Sequence, residues 1–133
     1  MTAIGQKTAV LLIAHGSRRA NANDDLVQLA NLVIDRGPYE YVGVSYLELA
    51  EPTIFNGGRT CVEHGATRVL MLPYFLSAGV HVVSDLETHR DKLASEFPHV
   101  EFVLCPHLGL HPLMVEIVLE RLNEGGELAG DQQ

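Results

Sequence analysis

The chain has 133 residues, 47% of them hydrophobic and 20% charged, with a formal net charge of −8 at pH 7. That length suits one domain and leaves no room for a separate substrate domain. The acidic balance, with nine Lys and Arg and no basic stripe, argues against nucleic acid, whose affinity rests on neutralising phosphates. No apolar run approaches the ~18 residues of a membrane span, and the opening MTAIGQKT lacks a secretory pattern, so a cytoplasmic protein without a membrane partner is expected.

A short apolar run followed by a segment of helical period occurs four times. The first run, Thr8 to Ala14, leads into a helix over Asn23 to Arg36, where Leu26, Leu29, Ala30 and Val33 recur at helical spacing and Gly37-Pro38 ends the segment. The second, Tyr41 to Leu49, leads into a helix that starts near Glu51 and Pro52, with proline in its favoured first turn, and ends near Gly65. Gly57-Gly58 fits that helix poorly, so either the helix bends or something packs closely against it.

The third run, Arg68 to Phe75, precedes a helix over Val82 to Phe97 with Val83, Leu86, Leu93 and Phe97 on one side. The fourth, Val100 to Cys105, precedes a helix over His111 to Leu122, and a frayed end follows from Asn123. The expected organisation is an N-terminal extension over 1–7, one domain over 8–124 and a flexible tail over 125–133. Cys61 and Cys105 have no C-x-x-C spacing, which suggests reduced, mostly buried thiols rather than a disulfide or zinc site.

Near-continuous apolar strands alternating with helices imply an α/β fold, a parallel sheet with helices on both faces. Right-handed crossovers leave few topologies, and the common four-strand order is 2-1-3-4. Ligands of such sheets bind beyond the carboxyl ends of the strands, where neighbouring connections leave to opposite faces. Here that crevice lies between strands 1 and 3, bordered by His15-Gly16-Ser17-Arg18-Arg19 and by Leu76-Ser77-Ala78-Gly79-Val80-His81.

Alone, His15 reads as a strand-end histidine bonded to backbone. His81, at the same end of the adjacent strand, supplies the second imidazole that a metal or proton-transfer site needs. Gly16 and Gly79 let a bulky ligand approach the backbone or simply make turns. Glu48 fits a solvent-edge position on strand 2, whereas Glu51 fits either a site carboxylate or an acid at a helix start. No G-x-S-x-G, G-x-x-x-x-G-K-[ST] or G-x-G-x-x-G motif is present. Ser17, two residues from His15, lacks the third group that a hydrolase triad requires.

HGSR at 15–18, LELAEPTI at 47–54, EHGATRVLMLPYFLSAGVH at 63–81 and PHLGLHPLMVEIVLERL at 106–122 together resemble the short-form sirohydrochlorin chelatases of the CbiX type. The resemblance covers about residues 8 to 124 and implies a three-layer chelatase-like domain. It also implies insertion of Co²⁺, Fe²⁺ or Ni²⁺ into sirohydrochlorin, with the ion a substrate and no permanent cofactor. By position His15 looks like the metal ligand and proton acceptor, and His81 like the second metal ligand. Glu51 and Leu76, Ser77, Ala78, Gly79, Val80 and His81 resemble the substrate-binding elements, joined by Ser17 as a carboxylate anchor; Arg18 and Arg19 are either further anchors or solvated charges. The short form is expected to be a homodimer. A non-catalytic module that binds or delivers metal or tetrapyrrole is the alternative, and a Ser17 hydrolase a third reading.

Overall fold

Alternate side chains of β1 (Thr8–Ala14) build two cores, one on each face of a four-stranded parallel sheet. The structure is a computed structural model that describes residues 5–130. After β1 come α1 (Ala20–Arg36), β2 (Tyr41–Tyr46), α2 (Ile54–Glu63), β3 (Arg68–Pro73), α3 (Val80–Glu96), β4 (Glu101–Leu104) and α4 (Pro112–Gly130). The strands lie in the order β2-β1-β3-β4, as the alternating pattern led one to expect.

Ala9, Leu11 and Ile13 point to one face, where Ile54 and Cys61 of α2 and Leu86 and Leu93 of α3 close over them with Val69, Met71 and Phe102. Val10 and Leu12 point to the other and meet Leu26 and Ala30 of α1 together with Tyr46. Each such aliphatic side chain stabilises the fold by roughly 1.5–3 kcal/mol relative to exposure.

Of the two explanations for Gly57-Gly58, close packing is correct. A Cβ on Gly57 would stand 2.9 Å from Leu11 Cδ1, 3.0 Å from Ser45 Cβ and 3.2 Å from the Val44 carbonyl oxygen. One on Gly58 would stand 2.7 Å from the Leu93 methyls. The pair lets α2 lie directly on the sheet and on α3.

Several boundaries differ from expectation. α1 starts at Ala20 instead of Asn23, and α3 at Val80 instead of Val82. Val83 shares the side of Leu86, with which it lines a pocket, but stays 36% exposed, whereas Leu86 and Leu93 are buried. β2 stops at Tyr46, and Pro52 is not in the first turn of α2: its carbonyl accepts the Tyr46 N–H at 2.9 Å, so the chain bends back to the sheet before the helix begins. Thr53 caps α2 instead, accepting the Asn56 N–H at 3.1 Å on Oγ1. β3 and β4 are each shorter than their apolar runs.

The last helix departs furthest. Where a frayed end was expected from Asn123, α4 remains helical through Gly130; residues 1–4 and 131–133 lie outside the described part. No α4 residue is buried, and α4 packs against none of the other described helices and strands. On the α1 face, α1 covers β1 and β2, leaving Leu70, Leu72, Val103 and Cys105 half-buried on the other half of the sheet. No described helix is long and apolar enough to cross a membrane.

Gly57→Ala is expected to destabilise the protein by about 1–2 kcal/mol in urea denaturation, because overpacking costs more than the helix-propensity gain of about 1 kcal/mol returns.

Candidate active site

β1 and β3 are adjacent, with Ile13 paired to Pro73, so the loops leaving their carboxyl ends face each other. The Tyr74 N–H donates to the Ile13 carbonyl at 2.7 Å and holds the second loop against the first. Between them lies an open cleft of about 310 Å³ lined by His15, Tyr74, Phe75, Leu76, Ser77 and Val82. The His15 and Phe75 ring centroids are 6.5 Å apart.

On its other side His15 meets Glu48. The β1–β2 ladder continues past the end of β2: the Leu47 N–H donates to the Ala14 carbonyl at 2.9 Å, and the Glu48 N–H to the His15 carbonyl at 3.0 Å. Leu49, with φ 69°, then turns the chain away. The result is a contact of 2.9 Å between His15 Nε2 and Glu48 Oε2. Both side chains are 57% exposed, so the pair contributes at most about 1 kcal/mol to stability. Its consequence is orientation: a carboxylate at Nε2 requires Nε2–H, and the lone pair of the neutral imidazole is then on Nδ1.

Glu48, expected at a solvent edge, instead stands in the candidate site against His15. No local feature of the sequence marks it: two backbone hydrogen bonds beyond the last strand pair, Ala14 with Tyr46, bring Glu48 beside His15. Glu51 lies beyond the turn, exposed, joined by a cis peptide bond to Pro52 and away from His15.

His81 is exposed on the first turn of α3; its neighbour Val82 lines the cleft, but the His81 ring is not part of that wall. Among the described residues no three His, Cys, Asp or Glu side chains converge closely enough to hold an ion. Of the second loop, Leu76 and Ser77 line the cleft. Ala78 lines a neighbouring pocket of about 260 Å³ shared with Cys105 and His107. Gly79 is the residue before α3, and Val80 is 83% exposed. Ser17 Oγ accepts the Arg19 N–H at 3.1 Å, while Arg18 and Arg19 are exposed. Burial pushes the Cys61 thiol up to about 12 and also raises that of Cys105, so both stay protonated at neutral pH and neither offers a ready thiolate to an ion.

Gly16 makes the approach of the two arms possible. Its φ is 106°, and a Cβ there would fall 1.8 Å from the Glu48 carbonyl oxygen and 3.2 Å from Tyr46 Cβ. Any side chain would drive the Glu48 segment off His15.

A family model described as CbiX matches residues 9–125. The chain belongs to the CbiX family. It is 32% identical over 119 residues to a chloroplastic sirohydrochlorin ferrochelatase of Arabidopsis thaliana, a match covering 90% of this chain and 53% of that one. It is 30% identical over 136 residues to a sirohydrochlorin cobaltochelatase of Methanopyrus kandleri, covering 87% of this chain and 95% of the relative. The crystal structure of the sirohydrochlorin chelatase SirB from Bacillus subtilis subspecies spizizenii, in complex with cobalt, superposes with a TM-score of 0.83 at 28% identity, over 90% of this chain and 51% of SirB. The chain thus spans about half the length of several curated relatives that it matches, and nearly all of the archaeal one.

Gly16→Ala is expected to lower stability by about 1–3 kcal/mol in urea denaturation. It should also separate His15 from Glu48, read as a loss of the Nε2–H tautomer in ¹⁵N-histidine spectra.

Proposed function

We propose that the protein is a chelatase that inserts a divalent ion, Co²⁺, Fe²⁺ or Ni²⁺, into sirohydrochlorin. The observation that carries this reading is the His15–Glu48 pair at the mouth of the β1–β3 cleft of a CbiX-family chain. Relatives named for cobalt and for iron insertion into the same tetrapyrrole support the substrate.

Metallation exchanges two pyrrole N–H protons for one divalent ion, so the site must hold the ion loosely and accept protons. Two donors, each ~2.0–2.2 Å from an ion and subtending a right to tetrahedral angle, stand roughly 2.9–3.5 Å apart. His15 Nε2 and Glu48 Oε2 already have that separation. An ion entering between them would take an Nε2 lone pair, the shared hydrogen leaving to solvent as Nδ1 takes up a proton, so that the imidazole stays neutral. His81 is the proposed second imidazole, which would have to turn toward the bound ion, since among the described residues no three such side chains already converge. Three donors would leave coordination positions open for pyrrole nitrogens, where a closed four-donor cage would retain the metal. As the ion passes to the macrocycle, the freed His15 imidazole accepts one departing pyrrole proton, with Glu48 stabilising the imidazolium, and the second proton leaves to solvent across the open cleft.

The macrocycle carries eight carboxylates and the chain is itself acidic, so anchoring is local. Ser17 Oγ accepts from the Arg19 N–H and keeps its own hydrogen for a substrate carboxylate. Glu51 and the segment from Leu76 through Ser77, Ala78, Gly79 and Val80 to His81 complete the proposed binding elements. Tyr74 and Leu76 also border a groove of about 490 Å³ against Met114, Ile117 and Val118, an apolar surface suited to a flat ring.

A cleft of about 310 Å³ is far smaller than such a substrate, which therefore needs a second wall. We assign that wall to a second copy of the chain. Several relatives are about twice as long, and α4 presents Leu113, Leu119 and Leu122 at 54–65% exposure with none of the other described helices and strands packed against it. The same reading has the protein work in the cytoplasm, where free thiols such as Cys61 and Cys105 stay reduced.

Following the absorption spectrum of sirohydrochlorin with each ion tests the activity. The protein should accelerate insertion of at least one, and His15→Ala should slow it by about 10²–10⁴-fold. Tight binding of ion or macrocycle without acceleration would instead identify a delivery module. Light scattering should show a dimer at micromolar concentration, and Leu113→Glu combined with Leu119→Glu should yield a folded monomer of reduced activity; a monomeric unaltered chain defeats the assignment of the second wall.

A further inference from the structure

His15 is exposed, so its aim depends on the two chain segments that hold its backbone. Glu48 bonds hold one side. On the other, the chain leaves through Gly16 and Ser17 and turns into α1, where the Ser17 peptide groups have no strand to pair with. Asn23, on the first turn of α1, supplies the missing partner: its Oδ1 accepts the Ser17 N–H at 3.0 Å and its Nδ2–H donates to the Ser17 carbonyl at 2.8 Å. One planar carboxamide thus satisfies a donor and an acceptor of the same residue, which fixes both the position and the tilt of that stretch.

Asn23 is itself held. The Tyr46 hydroxyl donates to the Asn23 carbonyl at 2.9 Å, and the Tyr46 side chain belongs to the buried cluster beneath α1. Burial, and then the nearby Asp24 carboxylate, raise the Tyr46 phenol, which keeps it protonated and donating. Tyr46 is also the last residue of β2, immediately before Leu47 and Glu48. Its Cβ is the atom that a Gly16 side chain would meet at 3.2 Å. Asn23 and Tyr46 therefore connect the Ser17 arm and the Glu48 arm of the same histidine, and neither lines the cleft.

We propose that Asn23 is a positioning residue, backed by Tyr46, whose carboxamide holds the His15–Ser17 loop so that the imidazole faces Glu48. The proposal rests on the chelatase reading for its effect on rate, but not for its effect on the His15 ring. Asn23→Ala removes both bonds to Ser17. Asn23→Asp keeps an acceptor for the Ser17 N–H but sets a carboxylate oxygen against the Ser17 carbonyl. Tyr46→Phe removes a single hydroxyl beneath Asn23.

The test combines steady-state insertion kinetics with ¹⁵N-histidine spectra at alkaline pH, where His15 is assigned by its absence in His15→Ala. In the unaltered protein the two His15 nitrogens should show the well-separated shifts of one fixed tautomer. Asn23→Ala and Asn23→Asp should draw those shifts together and lower kcat by about 10–10²-fold, the scale expected of a small misplacement, while KM for sirohydrochlorin changes much less. Tyr46→Phe should act in the same direction and less strongly. A folded Asn23→Ala protein with unchanged His15 shifts and unchanged kcat overturns the proposal. Should Asn23→Ala not fold, Tyr46→Phe decides, and unchanged shifts and kcat in that variant overturn it equally. If the unaltered protein inserts no metal, the chelatase reading fails while the His15 shifts still decide whether Asn23 sets the ring.

Discussion

The candidate site depends on two backbone hydrogen bonds that prolong the β1–β2 ladder beyond its strands, from Leu47 to Ala14 and from Glu48 to His15. Parallel strands would otherwise diverge at their ends, as one chain leaves for α1 and the other for α2. Keeping them together for two more residues brings an imidazole and a carboxylate to 2.9 Å in solvent, a pairing worth too little to form on its own. The order is therefore set by the backbone, and the side chains inherit it. Gly16 is the enabling condition, because only a residue without Cβ lets the His15 arm pass the Glu48 carbonyl.

This explains which parts of the molecule could be read from the residues. Strand order and the location of the crevice were legible because they follow from apolar periodicity and crossover handedness, which act over whole elements: Leu11 and Leu12 each report their face regardless of what lies at the strand end. His15 was legible for the same reason, being the first residue past β1. Glu48 was not, because alternation treats the end of a strand as the end of its pairing, and nothing local announces that the ladder runs on. Glu51 attracted notice instead through its place before Pro52, in a helix start that the structure moves to Thr53. There the Tyr46 N–H takes the Pro52 carbonyl and a hydroxyl cap outweighs proline's preference for a first turn.

Gly57-Gly58 and α4 show two other limits. Glycines inside a helix cost stability in isolation, and only the sheet and α3 packed against them supply the compensating close contact. For α4, the residues suggest an end at Leu122 with fraying from Asn123, whereas the helix runs on through Gly125 and Gly126 to Gly130. Leu113, Leu119 and Leu122 spread around more than one side of that helix, a pattern that a single surface of the same domain does not satisfy. Leu70, Leu72, Val103 and Cys105 are likewise left half-buried on the sheet. On the proposed dimer the apolar helix of one copy would cover the apolar sheet face of the other.

The acidity of the chain bears on the same arrangement. A net charge of −8 repels a polycarboxylate at long range, so affinity has to come from contacts that act within a few ångströms, and the field itself is useful only to the cation. On the chelatase reading a divalent ion would be drawn toward the acidic surface and meet, at the His15–Glu48 pair, a site that is exposed and incomplete. Such incompleteness would suit an ion that must leave again, since each donor added by the protein would have to be surrendered to a pyrrole nitrogen. The macrocycle, by contrast, would gain on the same reading from apolar contact with Tyr74, Leu76 and Phe75, where its ring could lie while its carboxylates remain in water. That reading divides the site between β1 with its Glu48 arm for the ion and the loop after β3 for the ring, and the boundary between those halves is the crevice that strand order 2-1-3-4 creates.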